Sequence, residues 1–176
     1  EFRRVLFRSE ALLRWKNDRL GIVPPDKFIP IAEESEVILE IDKWVISEVC
    51  KVIRMLQDEG YNNITISANV SAKHFVNDDI LDLVLGCINK NNIDPKLLKI
   101  EITESTLVKN VSTVKRILER FKEIGIRTSM DDFGKGYSSL NILTSLPIDE
   151  VKIDMELIKN ILNNNKKRKI VNLILE

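Results

Sequence analysis

The stretch "VSTVKRILERFKEIGIRTSMDDFG", residues 111–134, reads as one helix-to-strand unit. Its first half is a helix that stops at Gly125. "IRTSMD", residues 126–131, is a strand. Two adjacent carboxylates, Asp131 and Asp132, stand where that strand closes, and a loop punctuated by Gly134 and Gly136 follows. Like charges placed together repel, so solvent, a basic side chain or a metal ion must neutralise them.

The pattern repeats along the chain. "EALLRW" (10–15), "ITISANV" (64–70), "LLKIEIT" (97–103) and "EVKID" (150–154) read as four further strands. Helices lie between them. "PPDKFIPIAEES" has Pro at a helix start. Ile38, Ile41, Val45, Val49, Ile53 and Leu56 recur at spacings of three and four, a long amphipathic helix that Gly60 ends. "DDILDLVLGCINKN", "SSLNILTSLP" and "MELIKNIL" complete the set. Asn69, Glu101, Asp131 and Lys152 fall near four strand ends, 32, 30 and 21 residues apart, one β-α unit each time. Parallel strands joined by helices form an open doubly wound sheet or a β/α barrel. No Gly-rich dinucleotide fingerprint follows any strand, which favours the barrel. The expectation is an α/β fold, an incomplete TIM-type β/α barrel with about five of its strands present.

Composition sets outer limits. The chain has 176 residues, 44% hydrophobic and 31% charged, enough for one sizeable domain. Its 27 basic and 27 acidic side chains cancel, so bulk charge gives no reason to expect nucleic acid or a membrane surface as partner. Cys50 and Cys87 form no motif and read as reduced, apolar residues in a reducing, cytoplasmic setting. No apolar run approaches the ~18 residues that span a bilayer. "EFRRVLFRS", residues 1–9, reads as translated sequencing adapter, with evolved sequence from Glu10. "KIVNLILE" stops in mid-helix, so a fragment is expected.

In either parallel fold, ligands gather at the carboxyl ends of the strands. There the sequence sets Glu10, Arg14, Asn69, Glu101, Glu104, Asp131, Asp132, Lys152 and Asp154. All-oxygen ligation suits Mg²⁺ or Mn²⁺. Neighbouring strand residues face opposite ways, but Gly134 permits an unusual backbone that would let Asp131 and Asp132 serve two adjacent ions. Paired hard cations are a recurrent arrangement for phosphate-ester hydrolysis, and Lys152 would orient water or offset developing charge. Plainer alternatives stand beside each residue. Glu10 or Glu101 could be a rim or ion-pair residue, Arg14 the partner of an acid, and Lys152 a surface cation. Asp131–Asp132 could cap a turn. His74 reads as a loop or surface residue, "NNNKKRK" (163–169) as a solvated loop, and Trp15, Phe28, Trp44 and Phe121 as packing residues.

Taken in order, "EALLRW", "FIPIAEES", "IDKWVI", "SANVS", "IEITES", "DDFGKGYSSL" and "LPIDEVKID" resemble the EAL domain, a cyclic di-GMP phosphodiesterase, over residues 10–176. The resemblance implies a β/α barrel that hydrolyses cyclic di-GMP to linear pGpG with a two-metal site. It implies that Glu10, Asn69, Glu101 and Asp131 bind metal, with Asp132 on the second ion. Lys152 resembles the catalytic lysine and Arg14 a phosphate-holding residue. Glu104 resembles the tether of the "DFGKGYSS" loop, a segment also implicated in dimerisation of the intact parent. Sensory or GGDEF domains are expected to flank it. One departure falls at Lys135, where the family usually carries Thr or Ala. The family's first strand and its C-terminal strands, with a further Glu and a Gln, are absent, so the parent is expected to be catalytic and this open piece not. Two alternatives remain: a non-catalytic cyclic di-GMP receptor, and a Schiff-base aldolase using Lys152.

Overall fold

A computed structural model describes residues 8–77, 79–109, 111–135, 140–159 and 161–175. Five parallel strands form one sheet: β1 (Arg8–Ala11), β4 (Thr65–Asn69), β5 (Leu98–Thr103), β6 (Arg127–Phe133) and β7 (Glu150–Ile153), in that spatial order. Between β1 and β4 the chain makes an antiparallel hairpin, β2 (Trp15–Asn17) with β3 (Gly21–Val23). It then makes α1 (Pro25–Glu34) and the long α2 (Val37–Asp58). Short α3 (His74–Asn77) and α4 (Ile80–Asn91) connect β4 to β5. Short α5 (Ser105–Lys109) and α6 (Val111–Ile124) lead to β6, α7 (Leu140–Ser145) to β7, and α8 (Met155–Ile158) and α9 (Asn165–Leu175) follow.

Strand composition explains the two faces. β5 reads Leu-Lys-Ile-Glu-Ile-Thr, a strict alternation. Leu98, Ile100 and Ile102 are fully buried beneath the helices with Ile46, Val49 and Ile53 of α2 and Val114, Ile117 and Phe121 of α6. The opposite face carries Arg8, Glu10, Ser67, Asn69, Lys99, Glu101, Ser129, Asp131, Glu150 and Lys152. The register confirms one face, pairing Glu10 with Ser67, Asn69 with Glu101, Glu101 with Ser129 and Ser129 with Glu150.

That polar face is concave. In a flat sheet, four steps of about 4.8 Å would set β1 and β7 about 19 Å apart. Yet Arg8 Nη1 on β1 lies 2.7 Å from Glu150 Oε2 on β7, and Lys152 Nζ donates to Glu10 Oε2 at 3.2 Å. The sheet therefore curls into the half-barrel of an incomplete TIM-type fold, with a charged interior.

Gly125 makes the α6–β6 turn at φ 95°, a region closed to most side chains. Its N–H and that of Ile126 both reach the Phe121 carbonyl. Several local expectations need correction. The strand expected over 10–15 is divided: β1 ends at Ala11, and Trp15 opens the β2–β3 hairpin, whose three-residue strands flank a turn between Asn17 and Gly21 and are too short to show a period. Trp44 is 59% exposed, and Trp15 is exposed too, meeting Phe28 edge-on at 5.6 Å; Phe121 is buried. His74 is buried, not at the surface. The basic run 163–169 is not a loop: α9 starts at Asn165 and holds most of it. Both cysteines are free, and burial, with Cys87 nearby, pushes the Cys50 thiol up to about 12. Residues 136–139, the centre of the loop expected after Asp132, lie outside the described residues.

Candidate active site

The carboxyl ends of β1, β5 and β6 bring Glu10, Glu101 and Asp131 together, with ligand oxygens within 4.8 Å of one another. Glu101 is 1% exposed, so its charge is held well away from water. The ammonium of Lys152, from β7, sits among the three. It lies 2.5 Å from Glu101 Oε2, 3.2 Å from Glu10 Oε2 and 3.7 Å from Asp131 Oδ2. Partial burial pulls the Lys152 pKa down. The hydrogen bond to Glu101, the charges of Glu101 and Asp131 and the hydrogen bond to Glu10 outweigh it, and the net direction is up. A Schiff-base role needs a neutral amine, and this surrounding opposes one.

The Asn69 amide closes the fourth side, donating to Glu10 Oε1 at 2.8 Å. Turned about its terminal bond, it presents its oxygen instead. Three carboxylates and an amide oxygen make an all-oxygen donor set with room for a small hard cation. The residues therefore fit Mg²⁺ or Mn²⁺ better than zinc.

Asp132 stands apart from this group. β6 runs two residues past Asp131, and its register with β7 shifts between Met130 and Phe133. Asp132 itself has φ 58°, so the unusual backbone lies at the acid as well as at Gly134. Its N–H donates to Asp131 Oδ1 at 2.8 Å, while its own carboxylate turns to Lys135, 2.7 Å away. Gly134 has φ 102°, and a Cβ there would come within 2.9 Å of Leu157 Cδ2. The Gly134 N–H is held by Glu104 Oε2 at 3.1 Å; Glu104 is buried and outside the three-carboxylate group. Arg14 is exposed and donates to the Leu13 carbonyl at 2.8 Å, and it lines one cavity with Glu10.

Two further groups were missed. Under the carboxylates, Lys99 is buried and binds Glu150 at 2.8 Å, with Arg8 on the same oxygen. Strict alternation in β5 set Lys99 on the Glu101 face, a legible signal. Behind Asn69, Asp42 of α2 accepts the Ser71 N–H at 2.8 Å. His74 Nδ1 meets Asp79 Oδ1 at 3.0 Å, and its Nε2 lies 3.6 Å from Asp42 Oδ2. Burial drives the Asp42 pKa up to about 6, against the lowering effects of the Ser71 N–H and His74 and with a small push from Glu33. Lys135, the departure already visible in the sequence, also reaches Asp154 Oδ2 at 3.1 Å.

Known proteins resemble this chain in sequence and in fold. The EAL domain profile matches residues 3–176. The chain is 39% identical over 167 residues to the signaling protein YkoW of Bacillus subtilis, covering 95% of this chain and 21% of that protein. It is 36% identical over 165 residues to the bifunctional diguanylate cyclase/cyclic di-GMP phosphodiesterase MucR of Pseudomonas aeruginosa, covering 94% of this chain and 24% of that one. The chain thus spans about a quarter of the length of these relatives. Among solved structures, the MucR phosphodiesterase in complex with c-di-GMP superposes with a TM-score of 0.84 at 36% identity, covering 94% of this chain and 67% of that one. The EAL enzyme Bd1971 in its cAMP- and cyclic-di-GMP-bound form gives a TM-score of 0.83 at 30% identity, covering 94% and 46%. Among the described residues, no helix is long and apolar enough to cross a membrane. The strand order, the acids at the strand ends and these matches lead to one assignment: the chain belongs to the EAL domain family.

Proposed function

We propose that this chain carries a metal-dependent cyclic di-GMP phosphodiesterase site, which adds water across one phosphodiester, breaks its P–O bond and leaves linear pGpG. The observation that carries the reading is the meeting of Glu10, Glu101 and Asp131 around Lys152. When bound, Mg²⁺ or Mn²⁺ would supply Lewis acidity to the phosphate and lower the pKa of water, so that hydroxide is available as nucleophile near neutral pH. Glu10, Asn69, Glu101 and Asp131 would hold the first ion, and Asp132 would serve the second. Lys152 keeps its proton, orients the attacking water and offsets charge that grows on the phosphate. Arg14 swings out to grip a substrate phosphate. Glu104 holds the Gly134 backbone, and with it the segment that carries both aspartates. The same reading places the chain in a cytoplasmic signalling protein, flanked by sensory or GGDEF domains and working as a homodimer.

The test uses the natural protein that contains this chain, assayed with cyclic di-GMP. Chelator should abolish turnover and Mg²⁺ restore it. Asp131→Asn should abolish turnover with part of the nucleotide affinity kept. Lys152→Ala should lower kcat by roughly 10²-fold, the scale for loss of one preorganised charge, with little change in substrate binding. Chelator-resistant hydrolysis, or wild-type kcat in Lys152→Ala, overturns the mechanism. Tight nucleotide binding with no turnover at any metal concentration would make the chain a receptor.

A further inference from the structure

Lys135 occupies a position that charge alone makes consequential. Its ammonium lies 2.7 Å from Asp132 Oδ1 and 3.1 Å from Asp154 Oδ2. Asp154 is well anchored, because its other oxygen accepts the Glu156 N–H at 2.7 Å and caps α8. Only 9% of its side chain is exposed. Asp132 is aimed at Lys135 by its φ of 58°, and the Lys135 N–H closes the turn onto the Asp132 carbonyl. The inner carboxylates have Lys152 as their cation; the outer pair has this one.

We propose that Lys135 is a built-in counter-ion of the outer carboxylates, and that a second divalent cation enters this site weakly because it must displace that ammonium. The inference rests on the two-metal reading above and adds to it an asymmetry specific to this chain. A dication on Asp132 would lie within a few ångströms of Nζ, where like charges repel strongly. It would also have to break two existing ion pairs. An exposed pair contributes little by itself, but pairing and repulsion act in the same direction here. A neutral side chain of similar length would remove both. The expected change is about tenfold in the affinity of the outer ion, with no change in the inner one.

The experiment is a Mn²⁺ titration of the natural protein, without substrate, followed by calorimetry and by the EPR signal of free Mn²⁺. Wild type and Lys135→Arg should show one tighter and one much weaker site. Lys135→Met should tighten the weaker site by about tenfold and leave the other unchanged. Asp132→Asn in the Lys135→Met background should remove that gain, assigning it to the outer carboxylate. Lys135 is half-exposed, and matching thermal melts of the Met and Arg variants would show that neither disturbs the fold. An outer site that is unchanged or weaker in Lys135→Met overturns the proposal while the two-metal reading stands. Absence of any Mn²⁺ site in wild type overturns both.

Discussion

At Gly134 one backbone N–H is held by one buried carboxylate, Glu104, 30 residues earlier in the chain. Glu104→Ala leaves that donor without its acceptor, at a cost of about 1–3 kcal/mol in stability. Glu104→Gln keeps an acceptor oxygen and should lose less than half as much. Urea unfolding compares the two, and hydrogen exchange at the Gly134 amide should speed up in the Ala variant only. Equal losses in both variants would show that the Glu104 charge, not the acceptor, is what matters. Residue placement was legible only in part. Counting residues between strand ends set Asn69, Glu101, Asp131 and Lys152 at one rim, because that spacing is a property of the β-α repeat; Glu10 came in through the short apolar run that reads as a strand of its own. Asp132 was not legible. Its direction depends on a single positive φ and on the neighbour Lys135, and neither has a spacing signature. His74 was misread for a related reason: a polar residue in a polar stretch looks solvent-facing until Asp42 and Asp79 are known to flank it.

At the scale of elements, Asp42 joins α2 to the segment after β4 through the Ser71 N–H. Its pKa is raised from 3.8 to about 6, so the folded chain binds this proton more tightly than the unfolded one. Between about pH 4 and 6 the native state holds more protons, and its stability from this group falls as pH rises. Below that window the group is protonated in both states and costs nothing. Above it, ionised Asp42 weakens the fold by up to about 3 kcal/mol. Asp42→Asn does not titrate. Its stability relative to wild type should therefore improve steadily from pH 4 to pH 7, read as the difference between paired urea midpoints. A difference that stays constant with pH would mean that Asp42 titrates as an ordinary surface acid. The groups facing it are His74 and Glu33, and Asp79 lies behind His74; Glu33 also reaches Ser71 Oγ at 3.2 Å. Long elements such as α2 and α6 were legible because 3.6-residue periodicity persists over several turns. The β2–β3 hairpin and the start of α9 were not. Three-residue strands carry too few residues for a period, and the lysines of α9 mask its pattern.

For the whole molecule, the charged interior is the feature that sets it apart from a barrel filled by branched aliphatics. Lys99 is buried and depends on Glu150, which Arg8 also contacts. Breaking one side of a buried pair costs more than removing the charge altogether. Glu150→Gln should destabilise by about 3 kcal/mol, because the Lys99 ammonium keeps its burial and loses its counter-charge. Lys99→Met should stay within about 1 kcal/mol of wild type, since Arg8 still pairs with Glu150. The double variant should be more stable than Glu150→Gln alone, and a thermal or urea double-mutant cycle measures that coupling. Strictly additive effects would show that the pair is solvated. The parallel α/β class was legible from the alternation of strands and helices. The barrel was favoured over an open sheet because no dinucleotide fingerprint follows any strand, but which side chains of β1 and β7 meet across it was not legible, because no spacing records that contact.

That contact joins residues 142 positions apart: Glu10 with Lys152, and Arg8 with Glu150. During synthesis Glu10 leaves the ribosome long before its partner exists. At typical elongation rates the interval is on the order of ten seconds. Glu101 and Asp131 emerge into the same gap, so the three acids accumulate before Lys152 exists. The three acids therefore wait for their shared ammonium until the last strand of the described sheet is made. A hard cation captured early would offset their mutual repulsion before Lys152 arrives, tying the order of assembly to the divalent ions available in the surrounding medium.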